Sequence, residues 1–391
     1  MKTFAYRAST VLLVLLLGIG VFSLLLFAGQ RSQGPLEDLA ASVTTGVAHF
    51  EKTVVGGAVQ QGRSASLAWF DRYRQSPLLL NRPDTILLGA YDNNTADSYE
   101  SIVALEDSLG LKLPLIQFYS AWGSKRDQTF PMLRAQAIHD LGSVPLLTWE
   151  PWLNDFDPDV FPVAGPRKEV NVGGLKAIVS GKYDTYIDQW ARDARRFGKP
   201  FFLRFGHEMN DPYRYPWGPQ NNKPADFIAA WRHVVDRFRQ QGATNVSWIW
   251  SPHPAYTNYA EFYPGHDYVD WVGLTTLNYG TVAPWSKWYS FEAILGKAYA
   301  DLSLYGKPLM ITELGSLSVG GDKAAWFTAA LTTLPTRFPV VKAVVFFNNS
   351  DDVSTTYKAL DWSFGTDKKV VQAVRQAAAG WRMAPRKPPV P

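Results

Sequence analysis

Two glutamates stand at matching places in this sequence, each at the end of a short apolar run. Glu208 follows a run that begins at Phe201, and Glu313 ends a similar run that begins at Pro308. The parallel strands of a barrel deliver their last residues to one shared face, so acids far apart in sequence can meet there. Retaining cleavage of a glycosidic bond requires two carboxyls about 5 Å apart, one as acid/base and one as nucleophile. The pattern therefore indicates a sugar-cleaving barrel.

The ends of the other predicted strands, and the loops that follow them, carry rings, amides and carboxylates. In a carbohydrate cleft, rings stack on the apolar faces of pyranoses and amides bond the hydroxyls. Glu150, after the third strand, is a third carboxyl whose place fits support or substrate contact better than catalysis. The candidates for substrate contact are Trp122, Glu150, Trp152, His207, Asn210, Tyr215, Trp217, His253, Tyr279 and Asn348.

Several other classes of chemistry lack a motif. His207 and His253 raise the question of a metal, but no set of His, Asp and Glu has ligand-like spacing, so hydrogen bonding is favoured and no metal or cofactor is expected. There is no G-x-S-x-G elbow and no P-loop. The chain has no Cys, which excludes disulfides and thiol catalysis. A net charge of +4 without a Lys/Arg-rich tract gives no support for a nucleic-acid partner.

The elements that would position the glutamates are short apolar runs alternating with amphipathic ones. Continuous apolar runs fit strands that are covered on both faces. Helical spacing appears between them, for example over 183–197 and 227–238, while the connection 251–268 is short on helix. This alternation predicts a (β/α)₈ TIM barrel, with a doubly wound sheet as the alternative. The eight predicted strands are 86–91, 115–122, 144–149, 201–205, 246–250, 269–274, 309–312 and 343–347.

The N-terminal segment predicts export. Residues 8–30 carry no charge and are long enough to span roughly 30 Å of hydrocarbon as a helix. Lys2 and Arg7 precede this stretch, which favours a cytoplasmic N-terminus with the rest of the chain outside. We expect an uncleaved anchor in a bacterial inner membrane, with the catalytic domain periplasmic or extracellular. The alternative is a signal peptide that is cleaved to release a secreted protein.

Four segments follow from these patterns. Residues 1–30 form the membrane anchor or signal segment, and residues 31–82 form a stalk or linker. The barrel occupies residues 83–380, and residues 381–391 form a Pro-rich basic tail.

One stretch resembles a known family. The sequence from Arg204 to Asn210, followed by Tyr215-Pro216-Trp217-Gly218, resembles the signature of glycoside hydrolase family 26. Residues 264–273 and 311–315 are similar to later blocks of that family, so the resemblance covers roughly residues 85–380. It implies a clan-A barrel with a retaining mechanism, mannanase- or lichenase-like, that cuts β-mannan, mixed-linkage β-glucan or β-1,3-xylan.

The resemblance also implies roles for single residues. Glu208 would be the acid/base and Glu313 the nucleophile. His207 and Tyr279 would support the sugar at subsite −1, and Trp217 would stack on a sugar. The chain departs from the family pattern at 211–213, beside the acceptor side, and at 273–279, which is longer than usual and bears on Tyr279.

The expected function is that of a retaining endo-β-glycanase acting on β-1,4-linked or mixed-linkage polysaccharide, β-glucan or β-mannan. The predicted tether suggests that the polysaccharide is an exopolysaccharide, cut during its synthesis or export, with the synthase or export machinery as partner. The alternative is a catalytically inactive glycan-binding barrel in a polysaccharide secretion complex.

Overall fold

The computed structural model describes residues 63–95, 98–161, 170–353, 359–379 and 381. Eight parallel strands pair in chain order, and the last pairs with the first, so the sheet closes into a barrel. The predicted (β/α)₈ barrel is confirmed. The strands are β1 Leu87–Asp92, β2 Leu115–Ala121, β3 Val144–Glu150, β4 Phe201–Phe205, β5 Val246–Trp250, β6 Trp271–Asn278, β7 Leu309–Ser316 and β8 Val341–Asn348.

Helices cover the outside of the barrel, and a buried apolar layer fills the space between them and the strands. Both helical patterns read from the sequence correspond to long helices, and the connection between β5 and β6 holds only one short helix and a 3₁₀ turn. The helices are α1 Asp71–Arg74, α2 Pro77–Leu80, α3 Glu100–Leu109, α4 Met132–Asp140, α5 Gly174–Val179, α6 Asp184–Phe197, α7 Pro224–Gln240, α8 Tyr259–Phe262, α9 Phe291–Ser303, α10 Lys323–Arg337 and α11 Lys368–Ala379.

The strands β6 and β7 run about four residues past their predicted ends. The last pairs between the two strands are Leu277 with Gly315 and Asn278 with Ser316. Glu313 therefore lies inside β7, not at its end. The pairing is irregular around it, with register shifts between Leu274 and Thr275 of β6 and between Ile311 and Leu314 of β7. A charged residue after an apolar run suggests that the strand ends there. Here a buried cation compensates the charge of Glu313 inside the barrel, so the strand continues.

The N-terminal end of the barrel is closed by residues that precede β1. Phe70, Tyr73 and Leu80 join the first residues of the strands in one buried cluster. Trp271 of β6 donates its indole N–H to Asn81 at 3.1 Å. The compact unit begins at Arg63, so residues 63–82 of the predicted stalk are packed as part of the barrel.

The predicted anchor, residues 1–30, and the rest of the predicted stalk lie outside the described residues. Within the part of the chain that the structure describes, no helix has the length and apolar character needed to cross a membrane. Trp381 is the described residue of the predicted tail, and its indole N–H donates to the carbonyl of Leu331 at 3.0 Å.

Candidate active site

Glu208 stands on a sharp turn at the C-terminal end of β4. Its φ is +53°, in the left-handed region that a residue with a side chain rarely adopts. Gly206, two residues earlier, has a φ of +49°. The Glu208 backbone N–H donates to the carbonyl of Ser251 at 2.7 Å, which ties the turn to the end of β5. A strained backbone held by its surroundings is typical of functional sites.

The Glu313 carboxylate is held by two donors on the same oxygen. Arg204 Nη2 lies 2.6 Å from Glu313 Oε1, and the Tyr119 hydroxyl donates to Oε1 at 2.8 Å. Arg204 is fully buried and donates also to Thr148 Oγ1 and Thr312 Oγ1, each at 2.9 Å. A buried charge is tolerated when it is paired and hydrogen-bonded, and both conditions hold here. Two elements besides its own strand therefore fix this carboxylate.

The electrostatics of the pair agree with its geometry. Burial alone would lower the pKa of Arg204, but the adjacent Glu313 carboxylate raises it above the usual value. Burial and the charge of Glu313 raise the pKa of the Tyr119 phenol well above its usual value. Both groups therefore keep their protons and remain donors to Glu313.

The Glu208 carboxylate has a different setting. It is 2% exposed, yet its Oε2 makes no hydrogen bond with any of the described residues. Arg214 Nη1 is the nearby cation, at 3.6 Å. Because this oxygen is not already held by a close donor, it is available for a proton or a ligand.

Burial and the charges of both glutamates raise the pKa of two tyrosines. Burial raises the pKa of Tyr279 to about 12, and the charges of Glu208 and Glu313 add to this against the opposing charge of Arg214. Burial, together with the same two carboxylates, raises the pKa of Tyr215 well above its usual value. The two glutamates thus act on one set of side chains at the C-terminal face, as the sequence predicted.

His207 is buried at the centre of an aromatic group. Its Nε2 lies 2.9 Å from the Tyr215 hydroxyl, and its carbonyl accepts from the indole N–H of Trp217 at 2.8 Å. Burial, followed by the charges of Arg204 and Arg214, lowers the pKa of His207 well below its usual value. The imidazole is therefore neutral at neutral pH and works through hydrogen bonds.

Glu150 is the third carboxyl of the site. Its Oε1 lies 3.8 Å from His207 Nδ1, and its Oε2 accepts from the Trp152 indole at 3.1 Å. Burial raises its pKa to about 7, while the hydrogen bond from Trp152 opposes this shift. Glu150 and Trp152 thus belong to the site, where the sequence placed them.

Trp122 does not belong to the cleft. It is completely buried between the barrel and its helices, with its ring centroid 4.7 Å from that of Trp149. Successive residues of a strand point to opposite faces. Because Tyr119 points into the barrel, Trp122 points outward. The prediction of substrate contact by Trp122 is wrong for this reason.

Trp217 also differs from its predicted role. It is 2% exposed, and Tyr215 lies flat on it at 4.7 Å with an angle of 11° between the rings. Its face is therefore not open to a sugar. Instead, its indole N–H holds the His207 carbonyl, and it supports the tyrosine that covers it.

Two amides bind the protein itself. Asn210 donates to the carbonyls of His253 and Tyr256 at 3.1 and 2.8 Å and accepts from the His253 N–H at 2.7 Å. Asn348 donates to Asp92 Oδ2 at 2.7 Å and accepts from the Phe364 N–H at 3.0 Å. Both side chains therefore organise loops at the C-terminal face.

The structure adds site residues that the sequence reasoning did not assign. These residues reach Glu313 or Glu208 directly or through one contact, and they come from four strands and one loop. The sequence held a signal for one of them, Arg204, because an arginine within a continuous apolar strand must find a buried partner. The additional residues are Tyr119, Thr148, Arg204, Arg214 and Thr312.

One group of side chains could hold a metal ion. Ligand atoms of Glu208, Asp211 and His253 lie within 4.8 Å of one another. Sequence spacing missed this group because it joins the loops after β4 and β5. Two of its atoms are already engaged, since Asp211 Oδ1 accepts from the Tyr213 N–H and His253 Nδ1 accepts from the Ala255 N–H. The absence of a metal stays a prediction.

Comparisons with known proteins agree with this geometry. Residues 174–329 match the family described as Glycosyl hydrolase family 26. Endoglucanase H of Acetivibrio thermocellus is 32% identical over 292 residues, which cover 72% of this chain and 29% of that protein. The mannan endo-1,4-beta-mannosidase of Bacillus subtilis is 25% identical over 164 residues, or 40% of this chain and 41% of that protein. The chain thus spans less than half the length of these relatives.

The solved structures support the fold. A GH26 beta-mannanase from Bacteroides ovatus superposes with a TM-score of 0.54 at 18% identity, covering 81% of this chain and 92% of the other. The family match includes Glu208 and Glu313, and the resemblance read from the sequence is confirmed. The comparisons thus place residues 174–329 of this barrel in glycoside hydrolase family 26.

Proposed function

We propose that this barrel is a retaining endo-β-glycanase that hydrolyses β-1,4-linked or mixed-linkage polysaccharide. The observation that carries the proposal is the pair of unlike carboxylates at one face. Glu313 is fixed by Arg204 and Tyr119, whereas Glu208 Oε2 has no hydrogen-bond donor among the described residues. Retaining hydrolysis needs this division between a positioned nucleophile and a group that exchanges protons.

The proposed reaction has two steps. Glu313 attacks the anomeric carbon while Glu208 protonates the leaving oxygen, which gives a covalent glycosyl-enzyme. Glu208 then removes a proton from water as the water oxygen attacks the anomeric carbon, which breaks the bond to Glu313 and releases the sugar with retained configuration. His207, neutral and held by Tyr215, and the protonated phenol of Tyr279 line the same site and can donate or accept hydrogen bonds to the sugar.

The proposed substrate is β-glucan, ahead of β-mannan. Similarity supports this order, because the relative named Endoglucanase H is 32% identical over 292 residues while the mannosidase is 25% identical over 164. An open face lined by aromatic rings suits a polymer that runs across it, which supports endo action.

A substrate panel tests the proposal. Reducing ends would be measured on barley β-glucan, lichenan, β-mannan and β-1,3-xylan, with Glu313→Gln as the inactive control. We expect release from β-glucan and product of retained configuration by proton NMR. Product of inverted configuration would contradict the roles of both glutamates. Binding of the polymer without any new reducing ends would instead favour the alternative of an inactive glycan-binding barrel.

We further propose that the protein is exported and held at the membrane by its N-terminal segment. The support is the uncharged stretch of residues 8–30 behind Lys2 and Arg7. At that place the enzyme would trim an exopolysaccharide during synthesis or export, beside the synthase or export machinery. Fractionation with a carbonate wash tests the tether. A fully soluble protein beginning near residue 30 would contradict the anchor and leave export intact.

A further inference from the structure

The loop between β6 and α9 exposes one large aromatic ring at the active face. Trp285 is 56% exposed. It follows the C-terminal end of β6, so it stands at the same end of the barrel as the two glutamates. The other strongly exposed tryptophan among the described residues is Trp69, which is 47% exposed at the opposite end of the barrel.

The loop that carries Trp285 packs tightly against the loop after β7. The Thr281 N–H donates to the Val319 carbonyl at 3.2 Å. A Cβ added to Gly280 would lie 1.9 Å from that same carbonyl oxygen, and one added to Gly321 would lie 2.4 Å from the Trp288 ring. The chain thus approaches the loop after β7 so closely that only glycine fits at these two positions.

The backbone next to Trp285 is itself strained. Ser286 has a φ of +45°, and Glu208 is the only other described residue besides glycine with a positive φ. The Ser286 N–H donates to the Ala283 carbonyl at 2.8 Å, which closes a turn around Trp285. Strain of this kind persists where the surroundings impose it, and it clusters at functional sites. Here it fixes the backbone that carries the exposed indole.

Trp285 is connected to the catalytic carboxyls through one ring. Its centroid lies 6.0 Å from that of Tyr279, with the rings nearly perpendicular. Tyr279 in turn meets Trp362 edge-on at 4.9 Å and senses the charges of Glu208 and Glu313. Tyr279, whose pKa is raised by burial and by both carboxylates, therefore joins the exposed ring of Trp285 to the buried ring of Trp362.

We propose that Trp285 is a sugar-binding platform, on which one pyranose ring of the β-glycan stacks beside the units bound at the two glutamates. The inference rests on the proposed function and adds a subsite to it. A flat, rigid ring gives a large apolar contact at little cost in conformational entropy, because the turn already fixes the backbone that carries it. Pyranose rings of β-linked glycans present apolar C–H faces that match such a ring.

Binding in a variant without hydrolysis tests the platform. In full-length Glu313→Gln protein, affinity electrophoresis in barley β-glucan would compare Trp285→Ala, Trp285→Phe and the matched control Trp69→Ala. We expect Trp285→Ala to weaken binding about 5- to 10-fold, which corresponds to one aromatic contact. Trp285→Phe should keep most of the affinity, and Trp69→Ala should keep all of it. Equal affinity of Trp285→Ala and its parent would overturn the proposal.

Kinetics separate the platform from the proposed function. In the active protein, Trp285→Ala should raise KM for barley β-glucan about 5- to 10-fold with kcat nearly unchanged, and should not alter turnover of a small aryl β-glycoside. Hydrolysis by the wild type with full binding by Trp285→Ala would refute the platform alone. Binding that depends on Trp285 in a wild type that releases no reducing ends would refute the hydrolase alone.

Discussion

The two glutamates occupy the ends of similar sequence runs, but the structure gives them different hydrogen-bonding environments. Glu313 sits inside β7 and shares Oε1 with two donors from β2 and β4. Glu208 sits on a strained turn after β4, and its Oε2 has no hydrogen-bond donor in the described part of the chain. Each environment suits one role, since a nucleophile must be positioned whereas an acid/base must exchange its proton.

Under the proposed mechanism, neighbouring side chains rather than the glutamates themselves set the two roles. Arg204 and Tyr119 are fixed before substrate arrives, so they cost no reorganisation during the reaction. The turn at Glu208 aims its carboxyl without fixing both oxygens. A division of roles between two identical side chains therefore depends on residues from other strands.

The largest expected effects come from removing either carboxylate. Glu313→Gln should lower turnover on every substrate by about 10⁴-fold or more, because no other group can form the glycosyl-enzyme. Glu208→Ala should cost about 10²- to 10⁴-fold, most for poor leaving groups, because general acid catalysis is lost. Azide should partly rescue Glu208→Ala only, with retained configuration. An inactive but folded Glu150→Ala variant, equal to Glu313→Gln, would mean that the wrong pair was assigned.

The next effects concern the donors that hold Glu313. Arg204→Met should destabilise the fold by about 3–5 kcal/mol and reduce turnover, because it leaves a buried carboxylate uncompensated. Tyr119→Phe removes one hydrogen bond to a charged group, worth about 1.5–3 kcal/mol, so kcat should fall about 10- to 100-fold with less loss of stability.

The matched control for these variants is Arg237→Met. Arg237 pairs with Asp188 between α7 and α6, away from the site. It should cost some stability and leave kcat unchanged. Urea unfolding and kcat on β-glucan would be measured for all three variants. Equal kcat for Tyr119→Phe and the wild type would contradict the view that the fixed donors distinguish Glu313 from Glu208.

A smaller effect concerns Glu150, which lies beside His207. Its pKa is raised by burial from 4.5 to about 7, so the folded state binds the proton more tightly than the unfolded state. The resulting stabilisation is fully present below pH 4.5 and is lost as the pH rises to about 7. It amounts to at most about 3 kcal/mol, since the side chain is 15% exposed.

Glu150→Gln should therefore flatten the dependence of stability on pH between 5 and 8. The free energy of unfolding in urea would be measured at both values for this variant and the wild type. At pH 8 the variant should be the more stable protein, because it buries no charge at this position. An unchanged pH slope in Glu150→Gln would show that another group titrates.

Sequence alone predicted the barrel because each strand is a local apolar run, and it predicted both glutamates because each follows such a run. The sequence did not predict the contacts between distant strands. Glu313 meets Tyr119 and Arg204 only after the sheet closes, and the same closure extends β7 past Glu313. The roles of aromatic residues were the hardest to predict, because Trp122 and Trp285 are chemically alike and only packing decides which one is buried.

The smallest expected effect concerns metal removal. Treatment with EDTA should change neither kcat nor the melting temperature, although Glu208, Asp211 and His253 lie close enough to share a cation. Two of their atoms already accept hydrogen bonds from the backbone, and an acid/base must keep an oxygen open for its proton. A cation bound there would hold an oxygen of Glu208, as Arg204 and Tyr119 hold Oε1 of Glu313. Activity lost in EDTA and restored by a divalent cation, but not in His253→Ala, would remove the distinction between the two glutamates.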